Sequence, residues 1–217
     1  MHASVEVVLP PAEPADEDYP INIYTDLRDR LGAIMDTSRN VGPEKGWWDW
    51  WVPGGRFSGK KLMARIPEDQ LKAFYEELVK RKITVSAVVA GKQTISPASQ
   101  VPLVDELWRQ MMPGQGDVCP LFDHYHDKYI DDHINESDVC LVKDIPERLS
   151  TLHVVVADPD NADEAIEVIH KEYWNGKRFK ETGFDGNVKK LVTKLMAERP
   201  ELKIQPNWLV VTCDIHN

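Results

Sequence analysis

Leu152-His153-Val154-Val155-Val156-Ala157 decides the class of fold. It is a short run of β-branched residues with no charge, closed by Asp158-Pro159-Asp160, and it reads as a strand buried on both faces. Two similar runs stand at the ends of the chain, Val5-Glu6-Val7-Val8-Leu9 and Trp208 to Cys213. A third, Ile83 to Val89, lies before the middle. Helical periodicity fills the spaces between them. Leu27, Leu31, Ile34 and Met35 share one face, as do Leu71, Phe74, Tyr75 and Leu78. Val104, Leu107, Trp108, Met111 and Met112 form a third stripe. Asn187 caps a helix carrying Val188, Leu191, Val192, Leu195 and Met196. Ala162, Ile166, Ile169 and Tyr173 also fit helical spacing, and a helix is expected there.

Strands and helices alternate irregularly. The expected fold is α+β: a mixed or antiparallel sheet with helices packed on one face, ferredoxin-like in spirit. With 217 residues, 42% of them hydrophobic, a single domain over residues 1–217 is expected. An irregular acidic, His-rich insertion interrupts it at about 117–140.

The formal net charge of −10 disfavours direct binding to phosphate backbones and favours a protein partner with a basic surface. Three cysteines, an odd and sparse set, are not a disulfide framework, so a reducing compartment is expected. The first residues lack a basic stretch followed by an apolar one, and no run approaches membrane-spanning length. A cytoplasmic protein with no membrane partner follows.

Trp47-Trp48-Asp49-Trp50-Trp51-Val52-Pro53-Gly54-Gly55-Arg56-Phe57-Ser58-Gly59 holds four of the seven tryptophans in five residues. Read as a strand, it points Trp48 and Trp50 one way and Trp47, Asp49 and Trp51 the other. Pro53-Gly54-Gly55 allows a tight turn, across which Asp49 would pair with Arg56. One reading makes this a core hairpin. The other makes Trp47, Trp48, Asp49, Trp50, Trp51 and Arg56 an aromatic binding platform with a cation at its edge.

The Trp48-Asp49-Trp50-Trp51 and Gly54-Gly55-Arg56-Phe57 segments resemble a motif of an uncharacterised family of bacteriophage and mobile-element proteins. That family carries Trp-Asp-Trp-Tyr, two residues, then Gly-Gly-Arg-Trp. Val142-Lys143-Asp144-Ile145 resembles its mid-chain segment, and Cys213-Asp214-Ile215-His216 resembles its ending in Asp-Cys-His. Trp47 stands where a basic residue is usual, and Phe57 replaces a Trp. The resemblance implies an accessory protein that binds host or viral machinery, with inhibition of host machinery or defence as one such role.

Asp123-His124-Tyr125-His126-Asp127-Lys128-Tyr129-Ile130-Asp131-Asp132-His133 is the second unusual stretch. Residues 117–138 hold seven acids against Lys128, so −6 of the net −10 lies here. Tyr125 and Tyr129, interleaved with the acids, suit the surface of a protein-binding loop. His124, His126, Asp127 and His133, with Cys119 and Cys140 flanking, are the donor types of one zinc or another divalent metal. Such a metal could close the insertion structurally. With an open position it could serve a metal-dependent hydrolase, Asp131 or Asp132 acting as ligand or general base. The stretch lacks the His-Glu-x-x-His spacing and any paired Cys-x-x-Cys. No phosphate-binding Gly-rich loop and no nucleophile elbow occur.

Overall fold

The computed structural model describes residues 2–11, 23–41, 47–83, 85–89, 92–95, 100–117, 119, 134, 136–174, 179–181 and 183–216. Among them the chain is α+β, with a six-stranded mixed sheet; ferredoxin-like describes it only loosely. The first strand, β1 (His2–Leu9), pairs antiparallel along its whole length with the last, β10 (Leu209–His216). On its other side β1 runs parallel to β6 (His153–Ala157), which pairs with β7 (Ala165–His170). The far edge of β10 is shared. β5 (Val139–Leu141) pairs with its first half and β2 (Trp50–Pro53) with its second. Two separate hairpins, β3 (Val85–Val89) with β4 (Lys92–Ile95) and β8 (Glu172–Trp174) with β9 (Phe179–Glu181), complete the strands.

Alternation along β1 sorts its side chains between two cores. Val5, Val7 and Leu9 pack with Val211, Cys213 and Ile215 beneath α1 (Ile23–Val41), through Leu27, Leu31, Ile34 and Met35. Val8 packs with Val154, Val156 and Val210 against α5 (Val188–Glu198), through Val188, Val192 and Leu195. Asn187 caps α5 as expected, its side chain accepting from the Lys190 amide at 2.9 Å. A third cluster joins α3 (Glu68–Lys80) to α4 (Val101–Met111), with Phe74 edge-on to Trp108. The short α2 (Lys60–Arg65) leads into it from the sheet. None of these helices is long and apolar enough to cross a membrane.

The helix expected over 162–173 is instead the strand β7 and the start of β8. Asp158 to Glu164 forms a tight reversal: Asp158 donates from its amide to Glu164 O at 2.7 Å, and Glu164 to Asn161 O at 2.9 Å. This folds the chain back onto β6, where the β-branched Ile166, Val168 and Ile169 suit a pleated ladder. Helical spacing misled here because the stripe it selected is not the buried face: Ile166 is exposed and Ile169 half-buried, while the register shift beside Ala157 turns Ala165, Val168 and His170 inward. The strand expected at Ile83–Val89 exists as β3 but pairs outside the main sheet.

On the α1 side, His153 and His170 face each other across β6 and β7 with their Nδ1 atoms 2.6 Å apart, under the Trp47 ring. Burial, reinforced by the neighbouring ring, pushes His153 down to about 3, and burial pushes His170 down to about 4. Both rings are therefore neutral in the folded chain at neutral pH, while the unfolded chain protonates them near their ordinary value of about 6.5. Stability is complete above that value and falls as pH drops through it toward about 4. The slope reaches about 1.4 kcal/mol per proton for each pH unit. Urea unfolding between pH 7.5 and 4.5 should show it, and His153→Phe should reduce it.

Candidate functional site

The even-numbered residues of β1 and β10 share the face that carries the second core. Toward the start of β1 that face changes from apolar to polar. Ser4 lies opposite Asp214, and Glu6 opposite Thr212, all four buried. A carboxylate inside a sheet needs a partner, since desolvation of an unpaired charge costs several kcal/mol. Lys61, 1% exposed, supplies it from α2: its Nζ lies 2.6 Å from Glu6 Oε2 and also donates to Thr212 Oγ1. The Thr212 hydroxyl lies 3.0 Å from both Glu6 oxygens.

Two further buried carboxylates hold the chain that leads into α2. Asp214 Oδ2 accepts from the Arg56 amide at 3.0 Å. Asp138 accepts from Ser58 Oγ and from the Gly59 amide, both at 2.8 Å. Gly54 donates from its amide to Thr212 O at 2.8 Å. These approaches account for the paired glycines. Gly54 and Gly55 have φ of 63° and 50°, a region that disfavours side chains. A Cβ on Gly54 would also overlap Asp138 Oδ2, and one on Gly55 would stand 2.5 Å from the Asp214 Cβ. The Gly-Gly-Arg turn is thus a backbone laid directly on two carboxylates.

The neighbouring lysine is bonded differently. Lys60 Nζ donates to Ser4 Oγ at 2.6 Å, and Ser4 Oγ lies 3.0 Å from Thr151 Oγ1, which in turn donates to Ser4 O at 2.7 Å. Burial pushes the Lys60 amine down to about 8, with Glu6 opposing and Lys61 adding to the shift. Phe57 covers it from one side, ring centroid 5.5 Å from Nζ.

The tryptophans divide between core and surface. Regular strand geometry begins at Trp50, so Trp47 and Trp48 do not alternate, and both are buried. The Trp48 indole donates to Ser38 Oγ and the Trp47 indole to Ser38 O, each at 3.3 Å, and Arg39 stacks over Trp48. Trp51 is half-buried against the α1 core, leaving Trp50 as the exposed ring. Asp49 does not clamp Arg56. Its carboxylate lies 2.9 Å from His216 Nδ1, and its amide donates to His216 O. The hydrogen bond from His216 holds the Asp49 carboxyl below the usual range. Arg56 Nε is buried without a hydrogen-bond partner among the described residues.

His124, Tyr125, His126, Asp127, Tyr129 and His133 lie outside the described residues. Cys119 packs in the α3–α4 cluster and its amide donates to Asp105 Oδ1 at 3.0 Å. Cys140 lies in the separate α5 cluster, where burial pushes its thiol up to about 11. Among the described residues no group of three or more His, Cys, Asp or Glu could hold a metal ion. Cys213 is a core thiol as expected, raised by burial. Sequence reasoning missed Ser4, Glu6, Lys60, Lys61, Asp138 and Thr212 as a cluster. The available signal was Glu6, a charge inside an otherwise apolar strand. No family model, curated protein or solved structure matches the chain.

Lys61→Met leaves Glu6 buried and uncompensated, and should cost about 3–5 kcal/mol in chemical denaturation. Adding Glu6→Met should restore most of that loss. Gly55→Ala should cost at least about 2 kcal/mol, because strain adds to overlap with Asp214. Gly114→Ala has the same sign of φ but meets none of the described residues within 4 Å of the new Cβ, and should cost about 1 kcal/mol in the same assay.

Proposed function

We propose that this chain is an accessory protein of the bacteriophage or mobile-element kind that acts by binding a protein with a basic surface through its acidic segment, residues 117–138. One observation carries this reading: the segment holding most of the net charge is tied to the scaffold at both ends. Cys119 is buried in the α3–α4 cluster, and Ile134 is buried with α1 and the sheet. Asp138 is consumed by Ser58 and Gly59, which leaves six acids and Lys128 between or beside the anchors.

A charged surface on a fixed scaffold speeds encounter with an oppositely charged partner and selects against acidic ones. Of the four clustered tryptophans Trp50 is the exposed one, since Trp47 and Trp48 are absorbed by the core.

Quantitative affinity capture from a host extract tests the reading. Beside the native protein it uses a variant with Asp123, Asp127, Asp131 and Asp132 all changed to Asn. A single basic protein should be retained in near-stoichiometric amount by the native chain, and lost on the variant and at high salt. Equal capture by both proteins overturns the proposal, as does robust small-substrate turnover abolished by changing His126.

A further inference from the structure

The helix α3 buries one face and leaves a second without a partner among the described residues. Leu71, Phe74 and Leu78 turn into the α3–α4 cluster. Beside that face lies a shallow, largely apolar strip, bounded by Glu68, Leu71, Lys72, Tyr75, Glu76 and Val79. Val79 is 73% exposed, more than any other large apolar residue described. Tyr75 is half-buried and joins the strip to the core beneath it. A contiguous apolar strip rimmed by charges is the mark of an interaction surface.

The charges identify what covers it. From the start of α3 to just beyond its end the exposed charges along the strip run Glu68, Lys72, Glu76, Lys82, alternating in sign. The four-residue spacing of the first three suits ion pairs within the helix. Yet none of the four forms one among the described residues, whereas Glu77, on another face, takes both Lys80 and Arg81. A row with one negative and one positive end is complementary to itself only when reversed. Turned about a two-fold axis at Tyr75, Glu68 meets Lys82 of the second copy, Leu71 meets Val79, and Lys72 approaches Glu76, each contact occurring twice. A parallel arrangement sets like charges opposite each other. Antiparallel helices also oppose their dipoles favourably.

We propose that the α3 strip is an interface between two copies of this chain, packed antiparallel about Tyr75. A 13-residue helix is about 20 Å long and offers less than the roughly 800 Å2 per partner of a standard interface. The dimer is therefore weak and reversible, with a Kd on the order of 100 µM.

Sedimentation equilibrium of the intact chain, at concentrations from well below to well above that value, tests it. Val79→Asp should weaken dimerisation at least about tenfold, since a carboxylate would have to enter the apolar centre. Glu68→Lys should weaken it about fivefold, and Lys82→Glu likewise, because each sets like charges together twice. The two changes combined should restore nearly the native Kd, since the end pairs are rebuilt with their signs exchanged. Leu103→Asp on α4, at a site 53% exposed, should leave it unchanged. All these positions are exposed, and folding of each variant is checked by circular dichroism. A chain that stays monomeric at every concentration overturns the proposal. Dimerisation that ignores Val79→Asp, or that the charge exchange fails to restore, overturns the antiparallel α3 interface. Neither outcome bears on the acidic segment, whose partner is read in a separate capture assay.

Discussion

The buried ion pair between Glu6 and Lys61 is the constraint around which the polar half of the structure is arranged. Glu6 sits at the centre of a strand paired on both sides, where water cannot reach it. Its charge is tolerable only with a cation at hydrogen-bond distance and with its remaining lone pairs occupied, a role shared by Lys61 and Thr212. Lys61 is the second residue of a six-residue helix, so satisfying Glu6 places α2 on the sheet. Placing α2 requires the preceding turn to run close along β10, and Asp214 and Asp138 receive its amides there. The paired glycines are a consequence of that approach.

This arrangement gives the aromatic Gly-Gly-Arg segment an architectural meaning. Trp47, Trp48 and Trp51 close the α1 core on one face of the sheet, while the segment's glycines and Ser58 engage carboxylates on the other. Asp49 with His216, and Arg56 with Asp214, tie the same segment to the end of the chain. The Trp48–Phe57 segment and the C-terminal strand are thus neighbours in space.

Two adjacent lysines show how burial can be turned to different ends. Lys61 forms an enclosed pair that serves stability or specificity of packing. Lys60, one residue earlier, donates to the Ser4 hydroxyl, so its desolvation is expressed as weakened basicity. The difference arises from the direction each side chain takes from a short helix: Lys61 reaches the middle of β1, and Lys60 its first residues.

Much of the scaffold was legible in local pattern. The strands β1, β6 and β10, the helices α1, α3, α4 and α5, and the Asn187 cap all follow from periodicity and turn chemistry, because those signals depend on near neighbours in the chain. β7 was not legible, since Ile166 and Ile169 fit helical spacing, whereas the reversal at 158–164 and a register shift against β6 set which of its residues face inward. The pairing of Asp49 was misread for the same reason. Arg56 is near in sequence, but β10 brings His216 nearer in space. By itself, the sequence determined composition, charge and the amphipathic faces. Only the tertiary structure decided which polar residues meet, because Ser4, Glu6, Lys60, Lys61, Asp138, Thr151, Thr212 and Asp214 come from five separate stretches of chain. Their contacts exist only once the first and last strands have paired.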